Sequence, residues 1–161
     1  MLDRINSINK VAFFLGISEV ILKGMTRNDY LPKIREALDL CWNWYETKSP
    51  TGDDIYSLLD DGTEFGGLFI YMQMDQEKQN EKSWDAIIDA LAYTNKEAYE
   101  LNDEKFMPEP IVNVDDDLIA HFYHCYIDID NEYETLIGHY IGFLAGNEAL
   151  SKLDITNHLS L

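Results

Sequence analysis

Apolar residues recur at three- and four-residue intervals along nearly the whole chain. That spacing builds one face of an α-helix and does not fit the two-residue alternation of a half-buried strand. Ile5, Ile8, Ala12, Leu15 and Leu22 form one stripe of a first helix, about 3–24. Val11, Phe14, Ile17 and Ile21 widen the stripe until most of the helix must be buried, and Gly24 ends it. A second helix, about 30–47, tolerates Pro32 in its first turn. It turns Leu31, Ile34, Leu38, Cys41 and Tyr45 inward; Trp42 widens this stripe, whereas Trp44 lies off it.

Ser49-Pro50 stops that helix, and Thr51-Gly52-Asp53-Asp54 has the form of a capped start, with acids at the positive end of the helix dipole. The short helix that follows, 53–60, buries Ile55, Leu58 and Leu59 and breaks at Asp60-Asp61-Gly62. Over 64–76, Phe65, Leu68, Phe69 and Met72 favour a helix against the weakening effect of Gly66-Gly67. Ser83 is placed as the cap of a long helix to Leu101 with Trp84, Ile87, Ile88, Leu91 and Ala98 inward. Residues 103–114, containing Pro108 and Pro110, read as an extended connection. Asp115 opens a helix whose apolar side is Leu118, Ile119, Phe122, Cys125, Tyr126 and Ile129. A last helix, about 131–146, carries Tyr133, Leu136, Ile137, Tyr140, Ile141 and Leu144. The expectation is an all-α fold: a single compact domain over 1–161, an irregular bundle of six or seven helices.

A chain of 161 residues buries roughly 68–70% of its unfolded surface, so neither metal nor disulfide is needed to hold it together. The two cysteines, Cys41 and Cys125, sit in apolar helical patterns and read as buried free thiols of a reducing compartment. The N-terminal residues lack the pattern of a secretion signal. Val11–Leu22 is too short for a bilayer span and contains Glu19. A cytoplasmic location is expected.

The charge is lopsided. Residues 1–48 hold seven Lys and Arg against six Asp and Glu, a sum of +1, whereas residues 49–161 hold five against 24, a sum of −19. Between Lys105 and Lys152 the chain runs 46 residues with nine acids and no Lys or Arg. Such a field repels nucleic acid and anionic membrane and steers basic partners inward; solubility alone is the competing explanation.

Asp117, His121, His124 and Asp128 share one helix face at spacings of four, three and four residues. Carboxylates and imidazoles so placed can bind a transition metal. This is the polar face of the helix, however, and solvation accounts for it equally well. Asp128-Ile-Asp130-Asn-Glu132 begins like a calcium loop, but Tyr133 and His139 stand where glycine and a bidentate glutamate are required. His121, one turn before Cys125, is the imidazole that could approach that thiol, although a cysteine on an apolar face is normally inert. No phosphate-binding glycine loop or serine nucleophile turn is present. No cofactor is expected.

The remaining chemistry is surface recognition. Acids cluster at helix starts and junctions as Asp53 and Asp54, then Asp60, Asp61 and Glu64. Further along come Asp115, Asp116 and Asp117, then Asp128, Asp130, Glu132 and Glu134. Tyr56, Phe65, Tyr133 and Trp44 lie among them. Acids that steer a basic partner, beside aromatics that anchor it, suit an inhibitor that offers carboxylates where an enzyme expects phosphates. Helix capping explains some of these acids, Asp53 and Asp115 in particular.

Four stretches carry a family likeness: Ala37-Leu-Asp-Leu-Cys-Trp42-Asn-Trp44, Gly52-Asp-Asp-Ile-Tyr56-Ser-Leu-Leu59-Asp, Ser83-Trp84 with Ile88-Asp-Ala-Leu-Ala-Tyr93, and Pro108-Glu-Pro110-Ile. Over roughly residues 30–130 the chain resembles the sixth-numbered immunity family of bacterial polymorphic toxin systems. The resemblance implies an all-α cytoplasmic protein that binds and neutralises a cognate toxin domain, often a nuclease, and it brings no catalytic residues. The expected partner is therefore a basic protein toxin, with no nucleic acid or membrane. Two rival readings stand beside it. One is a metal-dependent helical enzyme using Asp117, His121, His124 and Asp128. The other is a dimerising helical adaptor with Trp44 and the last helix at its interface.

Overall fold

A computed structural model describes residues 2–130 and 133–161, with Tyr133 described by its backbone alone. Among these residues there are nine α-helices and no strand. They are α1 (Ser7–Gly24), α2 (Leu31–Thr47), α3 (Gly52–Leu59), α4 (Leu68–Met74), α5 (Glu81–Leu101), α6 (Glu109–Val112), α7 (Asp116–Ile129), α8 (Tyr133–Ala145) and α9 (Lys152–His158). The all-α expectation holds, with a helix count above the six or seven read from periodicity.

Two helices organise the rest. α5 is bordered by α1, α2, α3, α4, α6 and α7, and α1 by α2, α5, α8 and α9. Every residue from Val11 to Ser18 is buried, as the all-round apolar pattern of α1 demands. Phe14 meets Phe122 edge-to-face with centroids 4.6 Å apart, joining α1 to α7. Tyr140 of α8 donates its hydroxyl proton to the Ala12 carbonyl at 2.6 Å, so α8 is tied to the α1 backbone as well as packed on it.

Local chemistry moved several boundaries. Asn6 accepts from the Asn9 amide at 2.8 Å and starts α1 there, leaving Leu2–Arg4 as a separate 3₁₀ turn. Gly66 and Gly67 precede α4 and do not weaken it. Gly67 takes φ +87°, and a Cβ there would lie 2.5 Å from the Leu59 carbonyl oxygen, so glycine is required for the turn. Ser83 is buried inside α5, not its cap: a 3₁₀ turn, Lys78–Asn80, feeds the helix from Glu81. The Pro-containing connection carries the short helix α6, with Pro110 in its first turn. α9 was not anticipated. Its signal is Ser151, which forms a reciprocal capping box with Asp154.

Two partly buried polar clusters, scarcely visible in the sequence, fix how the helices meet. Glu19 on α1 receives two hydrogen bonds from Arg35 on α2, at 2.6 and 2.7 Å, and a third from the Trp42 indole at 2.8 Å. Asp75, just after α4, accepts from Trp84 at 2.7 Å, Asn28 at 2.9 Å, Asn80 at 3.2 Å and the Glu77 amide at 3.0 Å. Asn80 in turn holds both the amide and the carbonyl of Thr26, so the connections before α2 and α5 are clamped together. Trp44, placed off the core stripe by sequence, is 1% exposed, with the Lys48 ammonium 4.5 Å from its ring centre. It is neither a surface anchor nor a candidate interface residue, because Lys48 folds back over it with φ +56°.

Asp75→Ala is expected to cost about 1–3 kcal/mol at pH 7, since it strands the buried Trp84 indole N–H. Burial tends to raise the Asp75 carboxyl, but the bonds from Trp84, Glu77 and Asn80 outweigh it and hold the group below its ordinary value. A depressed carboxylate stabilises above the unfolded value and loses that contribution as pH falls through the folded one. The gap between variant and wild type should therefore narrow below about pH 4 in urea titrations, the ordinary Asp range.

Candidate functional site

The expected acidic residues do not form one patch. Asp115 caps the start of α7 and Asp128 lies near its end; at about 1.5 Å per residue they stand roughly 20 Å apart. Asp60, Asp61 and Glu64 occupy the turn between α3 and α4, at the far end of α3 from Asp53 and Asp54. Glu132 lies outside the described residues, as does the side chain of Tyr133. Asp128, Asp130 and Glu134 flank that segment; the Glu134 carboxylate accepts from Tyr123 at 3.5 Å.

Several of these acids serve local structure. Asp54 completes the reciprocal capping box with Thr51, and that bonding holds its carboxyl low. Asp115 caps α7 by accepting from the Asp117 amide at 2.9 Å. Asp60 accepts from the Gly62 amide at 2.9 Å and lies 3.5 Å from the half-buried Tyr56 hydroxyl, while Asp61 binds the Thr63 amide and hydroxyl. Those bonds explain the positions of these acids without a partner. Phe65, 70% exposed, stands out from this turn.

One convergence is larger than capping requires, and it lies at the C-terminal end of α5. The Asn95 amide donates to the Gly52 carbonyl at 2.7 Å, and Tyr99 donates to Asp53 at 2.6 Å, which brings the start of α3 to this end. Gly52 permits the approach, since a Cβ there would sit 2.5 Å from the Tyr99 ring. Lys96 reaches the Val114 carbonyl at 2.5 Å and so holds the start of α7 beside the same turns. Asp53, Glu97, Glu100, Glu104, Asp115, Asp116 and Asp117 thus share one end of the molecule.

The density of charge is visible in the ionisations. Burial and then the neighbouring Glu100 carboxylate raise Glu97. Burial, then Glu97, Glu100 and Asp116, raise the Tyr93 phenol, and burial with Asp53 raises Tyr99. Among these acids stand exposed apolar side chains: Leu101 at 55%, Phe106 at 89% and Val112 at 55%. Sequence reasoning missed Phe106, Val112 and Glu104 because 103–114 read as connection, and it missed Glu97, Glu100 and Leu101 because they sit within an ordinary amphipathic helix. Alongside, a cleft of about 440 Å³ runs between the N-terminal turn, α1 and α7, lined by Leu2, Lys10, Phe13, Asp116, Ile119, Tyr123 and His124 among others.

The set Asp117, His121, His124 and Asp128 is not brought together. His121 turns to α5, where its Nδ1 lies 2.7 Å from Asp89, whereas His124 lines the cleft. The other nitrogen of His121, Nε2, is 3.6 Å from the Cys125 sulfur. Thiol, imidazole and carboxylate therefore stand in a row, but Cys125 is only 2% exposed, and burial followed by the charge of Asp85 pushes its thiol up to about 11. A protonated, enclosed thiol is a poor nucleophile. Cys41 is buried as well, and both cysteines are free. Among the described residues no helix is long and apolar enough to cross a membrane.

The family model described as Immunity protein Imm6 matches residues 9–129, well over half of the chain and all of the acidic end described above. No curated protein and no solved structure matches the chain.

A group whose folded value is raised adds stability below its unfolded value and loses it as pH rises through the folded one. Ionised Glu97 therefore costs stability at neutral pH. Glu97→Gln should raise the melting temperature at pH 7 and lose that advantage below about pH 4, beneath the ordinary glutamate value. Calorimetry at the two pH values checks it.

Proposed function

The chain belongs to the Imm6 immunity-protein family, and from that premise we propose that it neutralises its cognate toxin by docking the acidic end around the α5 C-terminus onto a basic surface of the toxin. The toxin is a nuclease in this reading. Its active site or substrate groove is built for phosphates, and the immunity protein covers it with carboxylates. The protein acts as a single-domain binder in the cytoplasm and performs no catalysis of its own.

One observation carries the reading: exposed Leu101, Phe106 and Val112 stand among the carboxylates of three converging helices. Fixed acids raise the rate of encounter with a basic partner, and desolvated apolar groups slow its release. Asp116 and Asp117 are the leading contact residues, since both are exposed and their side chains make no hydrogen bond or ion pair among the described residues. The α3–α4 turn, with Asp60, Asp61, Glu64 and Phe65, is a second acidic surface with its own exposed aromatic. It is the alternative place of contact.

Two measurements with the cognate toxin domain separate these surfaces. Changing Asp115, Asp116 and Asp117 together to Asn should slow association by about tenfold at low salt, with the difference shrinking as ionic strength rises. Phe106→Ala should leave association unchanged and speed dissociation by about tenfold, as expected for an anchor of roughly 1–2 kcal/mol. Salt-independent association, or binding lost only on changing Asp60, Asp61 and Phe65, would remove the α5 end from the interface.

A further inference from the structure

We propose that α5 and α7 together form a zinc site, with Asp85, His121 Nε2 and Cys125 Sγ as ligands and Asp89 orienting the imidazole. Asp85, His121 and Cys125 each offer a ligand atom, and the three atoms lie within 4.8 Å of one another; among the described residues no other group of three meets that test. Zinc binds sulfur at about 2.3 Å and nitrogen or oxygen near 2.0–2.2 Å, so adjacent ligands of a tetrahedral site stand roughly 3.3–3.7 Å apart. The sulfur and Nε2 are already 3.6 Å apart. The Asp85 carboxylate needs to close by only about 1 Å, a side-chain adjustment.

The surroundings fit a cation with borderline-soft preferences. A thiolate, an imidazole and one carboxylate suit zinc or cobalt, not magnesium or calcium, which prefer all-oxygen sites. Asp89 accepts from His121 Nδ1 at 2.7 Å, which leaves Nε2 directed at the sulfur in the arrangement that zinc-bound histidines adopt with an outer carboxylate. Asp85, Asp89 and Asp128 all add negative potential at the sulfur, opposed by Lys82. Lys82 holds Asp85 only through a partly exposed pair at 3.8 Å, a contact easily given up. The His121 side chain is 53% exposed, so the open side of the cluster faces solvent and water completes the fourth position.

On binding, the metal sheds water ligands, and the Cys125 S–H gives its proton to solvent as the sulfur–metal bond forms. No electron changes hands. The metal would bridge α5 and α7 one turn beyond the Asp89–His121 contact and rigidify the helix whose start carries Asp115, Asp116 and Asp117. The site stands independently of where the toxin docks.

The test is titration of the metal-free full chain with Co²⁺, read by absorbance, and with Zn²⁺, read by calorimetry. The expected result is one equivalent bound with a sulfur-to-cobalt charge-transfer band and intense tetrahedral d–d bands, and a higher melting temperature with zinc. Cys125→Ser should abolish the charge-transfer band. Asp85→Asn, a change at a partly exposed position with little effect on folding, should weaken zinc by at least tenfold. Asp89→Asn should retain the band and weaken zinc about 10–100-fold, as loss of an outer partner does. A wild-type chain without the band, or a band surviving in folded Cys125→Ser, would overturn the site.

Discussion

Everything in this fold depends on the apolar side of α5 being covered by its neighbours from Ser83 to Tyr99. Its 21 residues are bordered by six other helices. A helix so enclosed cannot leave polar groups unsatisfied without losing free energy. Its buried Trp84 is met by Asp75 at one end, and Asn95 finds the Gly52 carbonyl near the other. The partner elements are thereby positioned by directional bonds as well as by apolar area. Hydrophobic burial draws α1, α3 and α7 to α5, and the polar bonds specify where along it α3 and α7 start.

That placement creates both candidate sites. The starts of α3 and α7 are pinned to the C-terminal end of α5, so acids of their first turns collect beside Glu97, Glu100 and Glu104. Among the described residues the countercharge there is smaller: Lys10 acts on Glu97, Lys105 follows Glu104, and Lys96 is taken by the Val114 carbonyl and Glu100. At the other end, the antiparallel run of α5 and α7 sets Asp85 and Asp89 against Cys125 and His121. One pairing of two helices therefore underlies both the proposed acidic docking surface and the proposed set of metal ligands. In the proposed docking mode, side chains held on rigid helices lose less entropy when a partner arrives than side chains on a loose segment would.

The helices themselves were largely legible. Core stripes from Ile34 to Tyr45 and from Leu118 to Ile129 were readable because a 3.6-residue period records burial on one side. Thr51 and Asp115 were readable as caps because capping is a local bond. Misplacements came where local preference met a tertiary bond. Ser83 has the chemistry of a cap, yet it is buried within α5. Trp44 sits off the apolar stripe of α2 and is nevertheless covered by Lys48. Phe106 and Val112 went unnoticed because their exposure depends on what packs beside them, which no pattern within 103–114 records.

By itself the sequence determined an all-α chain, its helical stripes, its capped starts, its lopsided charge and the motifs of the Imm6 family, because all of these are properties of neighbouring residues or of summed composition. Only the tertiary structure decided which acids stand together. It separated Asp115 from Asp128 along one helix, brought Asp53 and Asp116 to the same end of α5, and turned His121 away from His124 toward Asp89, Asp85 and Cys125. Contacts between residues dozens of positions apart depend on the angle and register at which whole helices pack, and those are set by the sum of many buried surfaces and a few directional bonds.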